Sequence, residues 1–99
     1  MPIGSIIMTN AEKLAQIFKL LSVDTRVRIV QLLRRRSLCV TELTSKLGIT
    51  LPAASQHLKL LRDAGVVKTL KRGFFVYYYL DKRKMSLLRK AASELLRVK

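Results

Sequence analysis

The polar side chains that could do chemistry in this 99-residue chain lie mainly in one stretch, residues 41–64. Plotted at about 100° per residue, as on a helix, one side of that stretch carries only small or polar groups: Pro52, Ser55, Gln56 and Lys59. A glutamine amide can bond N6 and N7 of adenine together, a serine hydroxyl can bond a base or a phosphate, and a lysine reaches phosphate. Any amphipathic helix has a polar face, but this one has groups that suit the major groove of DNA.

The sequence shows no set of residues that would suit catalysis or metal binding. The chain has no evident pair of carboxylates, no nucleophile beside a base and no phosphate-cradling glycine loop, so we expect neither an enzyme nor a cofactor. The one histidine, His57, borders the apolar side of the same helix and lacks co-ligands. We interpret it as a half-buried residue that packs and forms hydrogen bonds.

The charge of the chain indicates a polyanionic partner. There are 20 Lys and Arg residues against 6 Asp and Glu, a formal net charge of +14, which repels itself unless phosphates or anionic lipids neutralise it. With 49% hydrophobic residues, the chain has enough apolar surface for one core, and we predict a single domain over residues 1–99. One cysteine, no secretory leader pattern and no run near the ~20 apolar residues of a membrane span together predict a cytoplasmic protein.

Two helices are predicted to precede the polar stretch. After a lead-in over residues 1–9, Asn10 is a plausible N-cap for a first amphipathic helix that ends near Ser22, and Asp24 for a second. The second helix ends in the basic run Arg34–Arg36, where cations meet the negative end of the helix dipole. We interpret this run as a solvated face, with direct phosphate binding as the alternative.

The polar stretch itself is predicted to be a helix-turn-helix over residues 41–64. A third helix spans about Val40 to Leu47 and stops at Gly48, which suits the left-handed conformation after a helix. Thr50 then caps a fourth helix, in which Pro52 occupies the first turn at little cost.

A basic β-hairpin is predicted over residues 66–80, because the apolar period changes from 3.6 to 2 after Gly65. Its strands are Val66–Leu70 and Phe74–Leu80, joined by a turn at Lys71–Gly73. Val76, Tyr78 and Leu80 share one face, and Phe75, Tyr77 and Tyr79 share the other. We interpret these aromatic side chains as packing residues rather than base-stacking ones.

The terminal helices are predicted to join two copies of the chain. A last helix over residues 82–97 carries a wide apolar stripe that includes Met85, Leu88 and Leu95, and the helix at residues 10–22 has a similar surplus. One small domain does not need that much apolar surface, so we expect a symmetric homodimer through these two helices.

The order of elements, four helices, a hairpin and a fifth helix, resembles a winged helix-turn-helix of the ArsR-type repressors of bacteria and archaea. The segments that carry the resemblance cover nearly the whole chain and are specific in combination: TRVRIVQLL (Thr25–Leu33), SLCVTEL (Ser37–Leu43), SQHLKLLRDAGVV (Ser55–Val67) and RGFFVYYYL (Arg72–Leu80).

The resemblance implies a dimeric repressor that sits on promoter DNA and leaves when a small signal binds. It implies that Ser55 and Gln56 lie in the recognition helix and that Lys71 and Arg72 lie in the wing. A two-fold dimer places its recognition helices in major grooves about 34 Å apart, so the operator should be an imperfect palindrome of double-stranded DNA. The residues expected at the DNA are Thr50, Pro52, Ala53, Ser55, Gln56, Lys59, Lys71 and Arg72.

The sequence does not identify the inducing signal. Metal-sensing relatives carry Cys-Val-Cys in the third helix, but here the second thiolate is replaced by Thr41, and residues 82–99 contain no histidine. We therefore predict no metal site. Cys39, near a helix start and after a basic run, is a candidate redox residue, although a lone small cysteine in an apolar helix is more often part of the core.

Two other classes of function stay open at this stage. An architectural protein that coats DNA with little sequence preference would also explain the charge of +14. Binding to RNA or an anionic membrane fits less well, because the polar face suits a duplex groove and the apolar surfaces are needed for the core and the dimer.

Overall fold

The computed structural model of the protein describes residues 9–99, which form five helices and one three-stranded sheet. The elements are α1 (Asn10–Leu20), α2 (Asp24–Leu33), β1 (Leu38–Cys39), α3 (Val40–Leu47), α4 (Leu51–Asp63), β2 (Val67–Arg72), β3 (Phe75–Leu80) and α5 (Lys82–Leu96). The mainly helical fold with a hairpin before the last helix is thus confirmed, and the predicted helix limits 10–22 and 82–97 are within two residues of α1 and α5. The predicted lead-in lies, except for Thr9, outside the described residues. Among residues 9–99, no helix is both long enough and apolar enough to span a bilayer.

The first two helices begin differently from the prediction. Thr9, not Asn10, caps α1: its Oγ1 accepts from the backbone N–H of Glu12 at 3.1 Å, and the Glu12 carboxylate accepts from the Thr9 backbone N–H at 3.4 Å. This reciprocal pair satisfies two N–H groups at once, which a cap at Asn10 could not do. In α2 the cap position is Val23, without a side-chain hydrogen bond, and Asp24 is the first helical residue. Its carboxylate therefore acts on the helix dipole rather than as a cap.

A short strand that the sequence analysis missed joins the hairpin. In β1, Leu38 pairs with Tyr78 and Cys39 with Tyr77, so β3 becomes the central strand of an antiparallel sheet ordered β1-β3-β2. Two residues are too few to show alternation, so periodicity could not predict this strand.

The hairpin turn lies two residues later than predicted. Pairing of β2 with β3 runs from Val67 opposite Leu80 to Arg72 opposite Phe75, so the loop is only Gly73 and Phe74. Gly73 has φ +61°, whereas Phe74 is not among the residues with positive φ. This is the pattern of a type II′ turn, in which only the first loop residue has positive φ. The predicted turn at Lys71–Gly73 is therefore wrong, because the two-residue loop matches the twist of the strands better than a longer one.

The core lies between the helices and one face of the sheet. Its buried side chains come from every helix except α5 and from β1 and β2: Ile17, Ile29, Leu33, Leu38, Leu43, Leu58, Leu61, Val66 and Val67. Tyr78 and Leu80 of β3 pack on this cluster, as do Met85 and Leu88 of α5. No residue of α5 is fully buried within the chain, so much of its apolar stripe faces outward.

One carboxylate connects the base of the hairpin to the start of α5. Asp81 accepts from the Lys84 backbone N–H at 2.8 Å, which caps α5, and its second oxygen lies 2.7 Å from the Lys68 ammonium on β2. The Lys68 hydrogen bond, followed by the Lys84 N–H, lowers the pKa of Asp81, and Asp81 in turn raises the pKa of Lys68. The Asp81 side chain is only 15% exposed, so it is well placed to hold both elements.

We predict that Asp81→Asn and Asp81→Ala separate the two roles of this side chain. Asparagine still caps the helix but loses the ion pair, so its melting temperature at pH 7 should lie between those of the native chain and Asp81→Ala. Because folding lowers the carboxyl pKa, its contribution is complete above the ordinary value of 3.8 and is lost as pH falls through the lower folded value. The difference in melting temperature between the native chain and Asp81→Asn should therefore become smaller as pH falls. Thermal unfolding at several pH values measures this difference. A gap that does not change with pH would contradict this assignment.

Candidate nucleic-acid interface

The turn between α3 and α4 sets the direction of the fourth helix. Gly48 has φ +66°, and its N–H donates to the Thr44 carbonyl at 2.8 Å, which ends α3 as predicted. Thr50 then caps α4 by accepting from the Ala53 N–H at 3.3 Å, and Pro52 occupies the first turn. One backbone bond and the Thr50 hydroxyl thus satisfy groups at these two helix ends, and neither bond uses an exposed side chain of α4 itself.

The two sides of α4 differ as the sequence predicts. Ala54, Leu58 and Leu61 are at most 1% exposed and belong to the buried side. The opposite side, which we call the polar face of α4, consists of four exposed residues: Pro52, Ser55, Gln56 and Lys59. Thr50 is exposed beside it, whereas Ala53 is half-buried at its margin. The structure thus brings together the predicted residues of this region on one accessible helix surface.

Lys59 has an acidic neighbour on the same helix. Its ammonium lies 2.9 Å from the Asp63 carboxylate, and the two side chains are 70% and 59% exposed. An exposed i, i+4 pair of this kind contributes at most about 0.5 kcal/mol. Lys59 can therefore exchange Asp63 for a phosphate at little cost.

His57 connects α4 to the helices beneath it, as expected of a hydrogen-bonding rather than a metal-binding residue. Its Nδ1 accepts from Arg26 Nε at 3.2 Å, and Arg26 Nη1 also donates to the Leu20 carbonyl at 3.1 Å. Local sequence patterns could not predict this bond, because Arg26 and His57 are 31 positions apart. Within residues 9–99, no three His, Cys, Asp or Glu side chains come together as a ligand set for a metal ion.

Cys39 packs at the start of α3. It is 8% exposed, and its sulfur lies 3.1 Å from the Thr41 hydroxyl. The neighbouring cation, Arg36, pairs with Glu42 at 3.1 Å, and Glu42 also accepts from the Cys39 N–H at 3.1 Å. These bonds lower the pKa of Glu42, with the Cys39 N–H as the main cause. The charge of Arg36 is therefore directed to a carboxylate, and a redox role for Cys39 stays a prediction.

Lys71 and Arg72, the wing residues that the sequence predicts at the DNA, lie in β2 and not in the turn. Lys71 is opposite Val76 and Arg72 is opposite Phe75. Successive strand residues point to opposite faces, so Lys71 lies on the face that carries Tyr78 and the core, and Arg72 lies on the other. Both are exposed, one on each face of the hairpin.

Phe74 lies in the turn of the wing and not, as predicted, at the start of the second strand. At 101% exposure it is fully accessible at the tip of the hairpin, and Phe75 beside it is 57% exposed. Of the aromatic side chains interpreted as packing residues, Tyr78 packs on the core, whereas Phe75 lies on the other face and is largely exposed. The position of Phe74 directly after the turn glycine was the available signal, because loop residues of a tight hairpin lie beyond the core.

Comparison with known proteins places this chain among helix-turn-helix regulators of transcription. A family model described as "Bacterial regulatory protein, arsR family" matches residues 24–69, which run from α2 into β2. An uncharacterized HTH-type transcriptional regulator of Methanocaldococcus jannaschii is 36% identical over 89 residues, covering 89% of this chain and 100% of that protein. A CadC homolog of Staphylococcus aureus, a cadmium resistance transcriptional regulatory protein, is 41% identical over 73 residues, 73% of this chain. The chain spans only 60% of that relative's length.

Solved structures share the whole arrangement. The transcriptional repressor BigR from Xylella fastidiosa superposes with a TM-score of 0.72 at 30% identity, covering 91% of this chain and 92% of that one. The homodimeric winged helix-turn-helix DNA-binding domain of a possible ArsR-family regulator from Mycobacterium bovis gives a TM-score of 0.68 at 26% identity, covering 88% and 84%. With the helix-turn-helix, the wing and the flanking helices in the same order, this chain belongs to the ArsR family of bacterial regulatory proteins.

Proposed function

We propose that this chain is a dimeric, sequence-specific DNA-binding repressor of transcription that a signal releases from its operator. The observation that carries the proposal is the polar face of α4, four exposed side chains on a helix whose other side is locked into the core. The printed descriptions of BigR as a transcriptional repressor and of the M. bovis domain as DNA-binding support it.

The polar face of α4 has the composition needed to read bases. It lies in the N-terminal two thirds of the helix, and residues near the start of a recognition helix are those that contact base edges in a helix-turn-helix. Gln56 can bond adenine through both polar atoms of its amide, and Ser55 can serve a base or a phosphate. Lys59 supplies charge at the far end of the face.

The terminal helices leave an apolar surface that a second copy can cover. A groove of about 1110 Å³ separates α1 from α5, and Leu14, Leu87 and Leu95 are among the residues that line it. Leu87 and Leu95 are each 58% exposed in the single chain. Two such surfaces related by a two-fold axis would bury these leucines, and the homodimeric M. bovis domain supports this arrangement. The two recognition helices would then face successive major grooves of an imperfect palindrome.

A low-specificity architectural role is the second candidate, and the charge of +14 favours it. Phosphate contacts alone give tight binding that falls steeply with salt but carries no sequence information. The polar face of α4 favours the repressor, since an architectural protein has no need of a base-reading amide at the centre of that face.

We predict that binding to DNA upstream of the regulated gene survives competition with random duplex. The measurement is a titration of a labelled upstream fragment against unlabelled random DNA at two salt concentrations. A specific repressor should show a preference of about a thousandfold or more at physiological salt. Equal competition by random duplex would instead establish the architectural role.

Gln56→Ala should weaken binding to a selected operator by about 1–3 kcal/mol and relax the base preference at one position of each half-site. Arg72→Ala should instead weaken all sequences alike and reduce the salt slope by about one. Gln31→Ala, an exposed glutamine on α2 outside the polar face, is the matched control. If Gln56→Ala kept both the selected sequence and its affinity, the placement of the base-reading face would be wrong.

Leu87→Glu should dissociate the dimer, because a carboxylate would replace an apolar contact at the proposed interface and would lose its water there. We expect the dimer dissociation constant to rise by about a hundredfold or more, as followed by light scattering over a range of concentrations. Val98→Glu is the control, because it introduces the same charge at a position that is 91% exposed and lies beyond α5. This variant should keep the dimer mass of the native protein. A Leu87→Glu chain that remains fully dimeric would exclude the α1 and α5 interface.

A further inference from the structure

A second basic surface lies away from the polar face of α4. It is a groove of about 640 Å³ between the end of α2, the end of β3 and the first turns of α5, and we call it the basic groove. No residue of α4 and none of the three basic residues of β2, Lys68, Lys71 and Arg72, lines it. The cations that line it come from three separate parts of the chain: Arg34, Arg35, Arg36, Lys82 and Arg89.

The charges of the basic groove are largely uncompensated. Within residues 9–99, Arg36 is the one cation of the five that forms an ion pair, with Glu42 at 3.1 Å. No carboxylate lines the groove, whereas the hydroxyls of Ser37, Tyr79 and Ser86 do. Four unpaired cations held close together repel one another, and hydroxyl donors between them suit an anion with several oxygen atoms.

Helix stability explains only part of this cluster. Cations after the last turn of α2 meet the negative end of its dipole and stabilise the helix. At α5 the first turn contains Lys82, Arg83 and Lys84, and the carboxylate at this helix start is the Asp81 cap, which already pairs with Lys68. Of these three cations Lys82 lines the basic groove, and an anion bound there would neutralise it at the positive end of the helix dipole.

The floor of the basic groove is apolar. Leu33, Leu80 and Met85 line it beneath the charged rim. An inorganic anion would leave this floor in contact with water, whereas a ligand with a flat or apolar body would cover it. The rim and the floor together fit an organic molecule with several phosphate groups.

We propose that the basic groove binds a small organic polyphosphate, such as a nucleoside triphosphate, and that its occupation weakens DNA binding. The groove joins β3 of the wing to α5 of the proposed dimer, so a ligand that draws these elements together changes the position of the wing relative to the partner copy. It also neutralises several of the charges that attract DNA. This regulatory half rests on the proposed repressor function, and linkage requires that operator DNA weaken ligand binding by the same factor.

The binding half is tested on the full chain by calorimetric titration with magnesium-free ATP and with inorganic tripolyphosphate at constant ionic strength. We expect ATP to bind more tightly, because only ATP has an organic body for the apolar floor. Arg35→Gln combined with Arg89→Gln should weaken ATP binding by about a hundredfold, roughly tenfold for each charged contact. Arg28→Gln, an exposed cation of α2 outside the groove, should change it by less than about twofold. Equal losses in both variants, or no binding near physiological salt, would overturn the proposal.

The regulatory half is tested by operator binding with and without ATP. ATP should weaken operator binding by the native chain and by Arg28→Gln but not by the double variant. If the double variant bound the operator more weakly and with a smaller salt slope even without ATP, the groove would be a site for DNA phosphates, and the proposal would be wrong. A third result would separate the two proposals: neither the native chain nor any variant prefers an operator over random duplex, but the double variant still loses ATP binding. The basic groove would then be confirmed as a ligand site, and the proposed repressor function would be wrong.

Discussion

The burial of one side of α4 is the constraint on which the rest of the molecule depends. Leu58 and Leu61 belong to the same cluster as Leu43 of α3 and Val66 at the foot of the hairpin, so α4 cannot rotate about its axis without opening the core. Since a helix has a fixed angle between residues, fixing the buried side also fixes the side that carries Ser55 and Gln56. The base reading that we propose needs side chains held within fractions of an ångström, and the packing of α4 on the core supplies such a support.

The distribution of carboxylates explains why so much of the surface is basic. The chain has 6 acidic residues, and four of them lie at helix starts: Glu12, Asp24, Glu42 and Asp81. There they accept backbone hydrogen bonds or interact with the helix dipole, and Asp81 also holds Lys68. Acidic groups are thus used mainly for the fold, which leaves most of the 20 cations free to meet phosphates. A protein that binds DNA as a rigid body gains from this division, because its helix ends stay satisfied while its surface stays positive.

The wing has a different physical character from α4. Its strands extend beyond the core, so residues near the tip have few neighbours, and Phe74 is fully exposed. Rigidity comes instead from the base, where β1 pairs with β3 and Lys68 pairs with Asp81. The wing is therefore anchored to the same residue that starts α5, and a change in the position of α5 is transmitted to the wing through one short connection.

Local sequence alone determined the helices, the turn at Gly48, the cap at Thr50 and the polar face of α4. Each depends on residues a few positions apart, and the 3.6-residue period records them directly. Tertiary structure alone decided the rest: β1, which exists only because it pairs with Tyr77 and Tyr78, the hairpin register that places Lys71 and Arg72 in β2 and not in the turn, and the bond from Arg26 to His57. It also brought the basic end of α2 to Lys82 and Arg89. Periodicity shows which side of an element is buried, but the partner of that side is set by which distant segments pack together, and no local pattern contains that information.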